Sequence, residues 1–323
     1  MSRIRFGIVI PQGWRNDLPQ ISSADQYQYS KDIVITAERN GFDSIYAYDH
    51  FIPHYRYAST GNFFECFTLL SAISAFTKKM KIGQIVICNS YRNPALLAKM
   101  VATLDVITNG RTELGIGAGW YEEEYNSYGY HYFSDIIRIS QLEESIQIIK
   151  KLWIQKTASF HGKYYSIDGA ICFPKPIQKP HPILMVGGSG EKYLLKVVAK
   201  CADRYNLYFG TPEEMKRKIN ILNDYNSQNR KIEYSIVLPC LLVDKYEDME
   251  KIIKNMKKGD MTVDQFKKSA AGGLTVGTVD DIVNGIAEYI NIGVNHFIFH
   301  FLQLDQSVLK KFSKVIKISK TSC

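Results

Sequence analysis

Residues 81–117 read KIGQIVICNSYRNPALLAKMVATLDVITNGRTELGIG. The apolar run Lys81–Ile87 predicts a β-strand, and Arg111–Gly117 predicts a second one. Between them, Pro94–Asn109 predicts a helix, because an asparagine cap precedes the proline and Gly110 follows the last turn. A strand, a helix and a second strand in this order are typical of a parallel β-α-β unit.

The same alternation runs along most of the 323 residues. Strands are predicted at Arg5–Ile10, Ser44–Asp49, Lys81–Ile87, Arg111–Gly117, Pro182–Val186, Tyr205–Phe209, Tyr234–Val243 and His296–Phe301. Helices are predicted at Ala24–Gly41, Phe64–Phe76, Pro94–Asn109, Ile136–Trp153, Glu191–Arg204, Pro212–Gln228 and Val279–Ile292. This pattern predicts an α/β fold, a (β/α)₈ TIM barrel that forms a single domain over residues 1–323.

One stretch, at about residues 154–181, interrupts the alternation between the fourth helix and the fifth strand. Its centre, His161-Gly162-Lys163, lies between residues that favour strands, which predicts a hairpin. We interpret the stretch as an insertion that lies over one mouth of the barrel.

The amino-acid composition argues against a membrane protein, a metal site and a nucleic-acid site. Apolar residues make up 46% of the chain, but no run reaches the roughly 18 residues of a membrane span, and the start does not resemble a signal peptide. A cytoplasmic protein without membrane contact is therefore expected. The six cysteines lack metal-ligand spacing, so no metal site is predicted. The net charge of +8 comes from lysines at helical spacing, which indicates solvated helix faces rather than a nucleic-acid site.

Functional side chains should gather at the carboxyl ends of the strands, where barrel active sites lie. The second strand ends in Asp49-His50, a pair that can contact a flavin-type ring and transfer a proton, or that can lie solvated at the rim. The polar residues 88–93 after the third strand suit the edge of a heterocycle, or serve only as a loop and helix cap.

Glycines follow the next two strands. Gly115, Gly117 and Gly119 precede Trp120, so they do not form a dinucleotide fingerprint, and we expect them to let a flat ring approach the backbone. Residues 187–190 read GGSG and open a helix, which favours a phosphate site over a plain turn.

Taken together, five stretches closely resemble luciferase-like monooxygenases, and within them the branch that uses the deazaflavin coenzyme F420. These stretches are residues 48–51, 88–111, 113–130, 182–203 and 277–301. The resemblance implies a barrel with the coenzyme ring at its carboxyl-terminal mouth. It also implies that Asp49 and His50 contact the ring and that His50 donates or accepts the proton.

The remaining coenzyme contacts are implied by the same resemblance. One ring face would lie against the third strand, often with a non-proline cis peptide, through Gln84, Ile85, Val86 and Ile87. Ala118 and Gly119 would border the ring edge, and the phosphate would lie on Gly187, Gly188 and Ser189.

The implied activity is hydride transfer between F420 and a small organic substrate. An FMN-dependent monooxygenase is the alternative on the same barrel, and a non-catalytic flavin-binding barrel is a third reading; a homodimer stays open. His54, Trp120 and Tyr121 are expected on the substrate side, within an aromatic lip that includes Tyr55, Tyr57 and Phe63. Sugar-phosphate dehydrogenases of the superfamily have a tryptophan in place of His54 and an acidic residue in place of Trp120, so this chain is expected to use another substrate.

Overall fold

The computed structural model of the chain describes residues 3–54, 61–255 and 275–321. Its strands are β1 Arg5–Val9, β2 Ser44–Ala47, β3 Lys81–Gln84, β4 Ile87–Cys88, β5 Leu114–Gly117, β6 Ala158–His161, β7 Ser166–Ala170, β8 Leu184–Gly187, β9 Arg204–Tyr208, β10 Glu233–Leu242, β11 Val276–Gly277 and β12 His296–Phe301. Its helices are α1 Ser23–Arg39, α2 Cys66–Ser74, α3 Pro94–Ile107, α4 Glu122–Ser127, α5 Asp135–Ile154, α6 Leu194–Cys201, α7 Pro212–Tyr225, α8 Tyr246–Asn255, α9 Val279–Asn291 and α10 Gln306–Thr321.

The main sheet is a parallel barrel in the order β3-β2-β1-β12-β10-β9-β8-β5-β4. β3 and β4 are two parts of the strand predicted at Lys81–Ile87, which is interrupted at a cis peptide between Ile85 and Val86. A bridge between Ile82 and Thr112 brings β3 against the segment before β5 and nearly closes the barrel. The predicted α/β barrel is confirmed, whereas the prediction of one continuous third strand is wrong.

Successive side chains along each strand point to opposite faces of the sheet, which divides the core into two layers. Ile45 and Leu184 point outwards and pack with the helices, while their neighbours Tyr46 and Met185 pack inside the barrel. Full burial of each such side chain stabilises the fold by roughly 1.5–3 kcal/mol. Each barrel strand is therefore packed on both faces, against helices on the outside and against other side chains on the inside.

A buried ionic network fills the amino-terminal end of the barrel. Arg204 is fully buried, and it contacts Glu113 at 2.7 Å and Glu233 at 2.9 Å. Burial alone would raise the pKa of Glu113, but Arg204 outweighs it and the pKa is lowered. The end of the barrel opposite to the loops described below is therefore packed with paired charges.

The segment at 154–181 forms the predicted hairpin, β6 with antiparallel β7. The Glu144 carboxylate on α5 accepts the backbone N–H groups of Lys163, Tyr164 and Tyr165, so the hairpin tip lies against this helix. None of residues 154–181 lines the cavity at the carboxyl ends of the strands. Asn89, directly after β4, donates to the Tyr165 hydroxyl at 3.3 Å, and the expectation that the insertion lies over a barrel mouth stays a prediction.

Three described helices, α4, α8 and α10, lie outside the seven predicted helix ranges. α4 covers only Glu122–Ser127, and its three consecutive glutamates give no apolar period. None of the described helices has the length and apolar composition needed to cross a membrane.

Candidate functional site

A cavity of about 750 Å³ opens at the carboxyl ends of the barrel strands. This volume lies within the range of small-molecule and coenzyme sites. Residues from the loops after β2, β4, β5 and β8 converge on it. The sequence-predicted site residues on its wall are Asp49, His50, His54, Ile85, Val86, Ile87, Ala118, Gly119, Trp120, Tyr121, Gly187, Gly188 and Ser189.

Gln84 is the predicted coenzyme residue that the structure does not bring to the cavity. Residues two apart share a strand face, and Ile82 packs in the outer layer, so Gln84 lies on that side while Ile85 faces inwards. The Gln84 side chain is fully buried, and its amide has no hydrogen-bond partner among the described residues. Gln84 therefore lies apart from the residues that line the cavity.

The aromatic lip is described only in part. Tyr55 and Tyr57 lie outside the described residues. Phe63 does not line the cavity but packs edge-on against Trp14, with ring centroids 6.0 Å apart. Trp120 and Tyr121 stack on each other at 5.0 Å and form the described part of this lip.

His50 is held between a carboxylate and an indole. Its Nδ1 lies 2.8 Å from Oε2 of Glu124, and the Trp14 ring stacks on the imidazole with 3.7 Å between centroids and 7° between planes. Because Nδ1 is bound to Glu124, Nε2 is the ring nitrogen left to exchange a proton with a molecule in the cavity.

The Glu124 carboxylate receives four donors. Oε2 accepts from His50 Nδ1 and from the Tyr91 hydroxyl at 2.6 Å, while Oε1 accepts the backbone N–H groups of Phe51 and Ile52. Burial alone would raise the pKa of Glu124, but the bonds from His50, Phe51 and Tyr91 lower it. Glu124 is therefore ionised, and Nδ1 of His50 carries a hydrogen, so Nε2 of the neutral ring is an acceptor.

Sequence reasoning did not identify Glu124 as a site residue. It is the third of three consecutive glutamates, Glu122-Glu123-Glu124. Glu122 and Glu123 are exposed, whereas Glu124 is fully buried. The segment after β5 carries other site residues, but no local signal separates Glu124 from its two neighbours.

Both carboxylate oxygens of Asp49 accept hydrogen bonds from the protein itself. Arg92 donates to the two carboxylate oxygens at 2.8 Å each, and the backbone N–H of Cys88 donates to one of them at 2.9 Å. Burial raises the pKa of Asp49, and the Arg92 guanidinium opposes that rise. Asp49 lies at the cavity wall and also fixes the end of β4 against the end of β2.

At the glycines around β5, other atoms of the protein lie where a Cβ atom would be. A Cβ on Gly115 would lie 2.0 Å from a backbone oxygen of the third strand, and one on Gly119 would lie 2.0 Å from the Tyr125 hydroxyl. A Cβ on Gly117 would come within 2.8 Å of Val86. These glycines are therefore required by close packing within the protein, and Gly117 and Gly119 also line the cavity, where approach of a flat ring stays a prediction.

The Gly187–Gly190 turn offers fewer free donors than its sequence suggested. The Gly188 N–H donates to the Asn206 carbonyl at 3.2 Å, so it is already used within the sheet. The N–H groups of Ser189 and Gly190 have no acceptor within the described parts of the chain. These two groups are the backbone donors that a phosphate could reach at this turn.

A buried lysine lies beside the same turn. Nζ of Lys218 donates to the Ser189 carbonyl at 2.7 Å and contacts the carboxylates of Glu191 at 3.1 Å and Glu214 at 3.3 Å. Its charge is therefore already balanced by two acidic side chains. Attraction of an anion to this turn depends on the backbone N–H groups more than on Lys218.

The family of luciferase-like monooxygenases matches residues 4–267. The chain belongs to the luciferase-like monooxygenase family. Among curated members, an F420-dependent glucose-6-phosphate dehydrogenase of Amycolatopsis mediterranei is 27% identical, over 94% of this chain and 96% of its own length. An FMNH₂-dependent dimethylsulfone monooxygenase of Pseudomonas putida is 30% identical, over 59% of this chain and 52% of its own length.

Solved structures of luciferase-like proteins share the fold. An F420-dependent secondary alcohol dehydrogenase has a TM-score of 0.79 at 20% identity, covering 98% of this chain and 99% of its own. An EDTA monooxygenase from Chelativorans has a TM-score of 0.82 at 12% identity, covering 99% of this chain and 94% of its own. Both the family and the fold implied by the sequence resemblance are thus confirmed.

Proposed function

We propose that this luciferase-like protein is an F420-dependent oxidoreductase that moves a hydride between the coenzyme and a small organic substrate. The observation that carries the proposal is the His50–Glu124 pair at the cavity wall. A carboxylate that fixes one ring nitrogen leaves the other poised for proton exchange, and proton exchange must accompany hydride transfer to an organic carbonyl or from an alcohol.

The residues around the cavity fit a deazaflavin or flavin coenzyme. Ile85, Val86 and Ala118 provide an apolar wall for a ring system, and Ser189 and Gly190 provide N–H groups for a phosphate. When bound, the coenzyme would supply the hydride chemistry that no protein side chain can perform.

The protein's own residues would position the reactants and move the proton. We infer that Nε2 of His50 exchanges the proton, that Glu124 fixes its tautomer, and that Trp14 holds the ring plane. Asp49 would act as a positioning residue, because its oxygens are bound to Arg92 and to the Cys88 amide.

The substrate would meet His54 and Trp120 at the open side of the cavity. The His54 ring lies 5.0 Å from Trp14 and 6.1 Å from Trp120, measured between centroids. This aromatic arrangement favours a small organic molecule with apolar or aromatic surface over a sugar phosphate.

An FMN-dependent monooxygenase is the second candidate. It is supported by the 30% identity to the monooxygenase of Pseudomonas putida. F420 is favoured because the similarity to the F420-dependent relative extends over 94% of this chain, against 59% for the FMNH₂-dependent one. A non-catalytic barrel would have no need of an oriented His50–Glu124 pair, which argues for an enzyme.

Equilibrium titration of the purified protein with F420 and with FMN in one buffer tests the proposal. We expect F420 to bind more tightly. Tighter binding of FMN by tenfold or more, about 1.4 kcal/mol, would overturn the choice of coenzyme.

A further inference from the structure

We propose that the cavity contains an anion subsite centred on Arg15, so that the substrate carries a carboxylate or similar anionic group a few atoms from the reacting carbon. The subsite rests on the proposed function for its substrate, but its residues are independent of the coenzyme wall described above. Arg15 and its partner Tyr208 both line the cavity.

The subsite is a chain of hydrogen bonds across the barrel mouth. Arg15, after β1, donates through Nη2 to the Tyr208 hydroxyl at the end of β9, at 3.1 Å. The Tyr208 hydroxyl lies 3.2 Å from that of Tyr48, which lies 3.0 Å from Nδ1 of His300 on β12. Residues on or after four strands therefore form one polar chain, of which Arg15, Tyr48 and Tyr208 line the cavity.

Within this polar chain, Arg15 provides the charge, and the Tyr208 hydroxyl can provide one neutral donor when the Tyr48 hydroxyl donates to it. Burial, followed by the nearby Arg15, lowers the pKa of His300 to about 3, so His300 is neutral at ordinary pH. Burial also raises the pKa of the Tyr48 hydroxyl well above its usual value, which keeps it protonated. A guanidinium beside phenol hydroxyls matches an anionic oxygen group.

The Arg15 guanidinium packs against the aromatic rings of Tyr208 and Phe209. The Arg15 guanidinium carbon lies 4.8 Å from the centroid of the Phe209 ring, and Phe209 stacks on Tyr208 at 4.2 Å. Phe209 adopts φ +55°, a left-handed conformation that a bulky side chain rarely takes. Such conformations persist where the surroundings impose them, and they cluster at ligand sites.

The position of Arg15 sets how far the anionic group lies from the proton-transfer site. Trp14 stacks on His50, and both His50 and Arg15 line the same cavity of about 750 Å³. One substrate molecule of modest size can therefore reach both His50 and Arg15.

Benzoate and its neutral analogue benzamide are suitable probes, because they differ in charge but hardly in shape. Binding can be followed by quenching of tryptophan fluorescence, since Trp14 and Trp120 line the cavity. With the coenzyme-loaded protein, we expect benzoate to bind at least tenfold more tightly than benzamide. In Arg15→Gln this preference should fall to threefold or less, whereas Arg15→Lys should keep most of it.

The control is Lys317→Gln, which removes the same charge from an exposed position on α10 and should keep the wild-type preference. Equal affinity for the two probes, or an unchanged preference in Arg15→Gln, would overturn the subsite. A tenfold loss of coenzyme affinity in Arg15→Gln would also overturn it, by placing Arg15 in the coenzyme site. If neither coenzyme binds but free protein still prefers benzoate through Arg15, the subsite stands and the proposed function fails.

Discussion

Replacing Glu124 by glutamine changes the charge beside His50 while keeping the side-chain shape. Its carboxylate now accepts two donors on each oxygen. The two backbone N–H groups on Oε1 cannot reverse, so the amide oxygen should take that position. The amide NH₂ then faces His50 and Tyr91, and both of these can become acceptors: the hydroxyl by rotation, and the imidazole by moving its proton from Nδ1 to Nε2.

The magnitudes follow from this rearrangement. Loss of the charged acceptor for two buried donors should cost about 1–3 kcal/mol of unfolding free energy, because the partners can reverse rather than remain unpaired. In the direction of substrate oxidation, turnover should fall more steeply, by about 10²- to 10⁴-fold, because Nε2 of the neutral ring would carry a hydrogen and could not accept the proton that the substrate releases. Coenzyme affinity should change only a few-fold.

Nitrogen NMR of ¹⁵N-histidine-labelled protein reports the tautomer directly. With seven histidines in the chain, His50→Asn identifies the signal of His50 by its disappearance. Neutral His50 should be protonated on Nδ1 in the wild type and on Nε2 in Glu124→Gln. The exposed neighbour supplies the control, because Glu122→Gln should leave tautomer and turnover unchanged. An unchanged His50 tautomer in Glu124→Gln would refute the reasoning.

Three further variants test other parts of the account. His50→Asn should lower turnover by about 10²- to 10⁴-fold with coenzyme affinity changed only a few-fold; a parallel loss of both would make His50 a binding residue. Gly190→Asp should weaken coenzyme binding more than tenfold in an equilibrium titration, whereas Gly190→Ala, whose Cβ would meet its nearest neighbour at an ordinary 3.6 Å, should change it little. Arg204→Met should cost about 3–5 kcal/mol in chemical denaturation at pH 7, against a few tenths for the exposed Arg3→Met. Because the folded pKa of Glu113 is lowered, the Arg204 contribution is present above about pH 4.5 and should shrink as the pH falls below it; a pH-independent cost would contradict this.

Much of the barrel could be predicted from sequence because each strand and helix carries local signals. Asn93 caps α3 directly before Pro94, and β12 has the predicted bounds His296–Phe301. The cavity wall followed from the rule that strand ends converge, which correctly brought together the loops around His50, Ala118 and Ser189.

What the sequence did not predict depends on contacts between distant residues. Glu124 meets His50 across 74 positions of the chain, and nothing local distinguishes it from Glu122. The resemblance implied the segment from Gln84 to Ile87 but not which of its side chains point inwards, and Gln84 does not line the cavity. The hairpin was predicted from Gly162, but its docking on Glu144 is a tertiary contact without a local signal.

Hydride transfer without oxygen is the central claim, and one comparison tests it most directly. The protein is loaded with reduced F420 and mixed with the small-molecule fraction of the cells that produce it, under nitrogen and in air, while the coenzyme absorbance is followed. We predict reoxidation of the coenzyme at the same rate in both atmospheres, with His50→Asn slower by at least a hundredfold in each. Reoxidation that takes place only in air would contradict the account and would favour a monooxygenase.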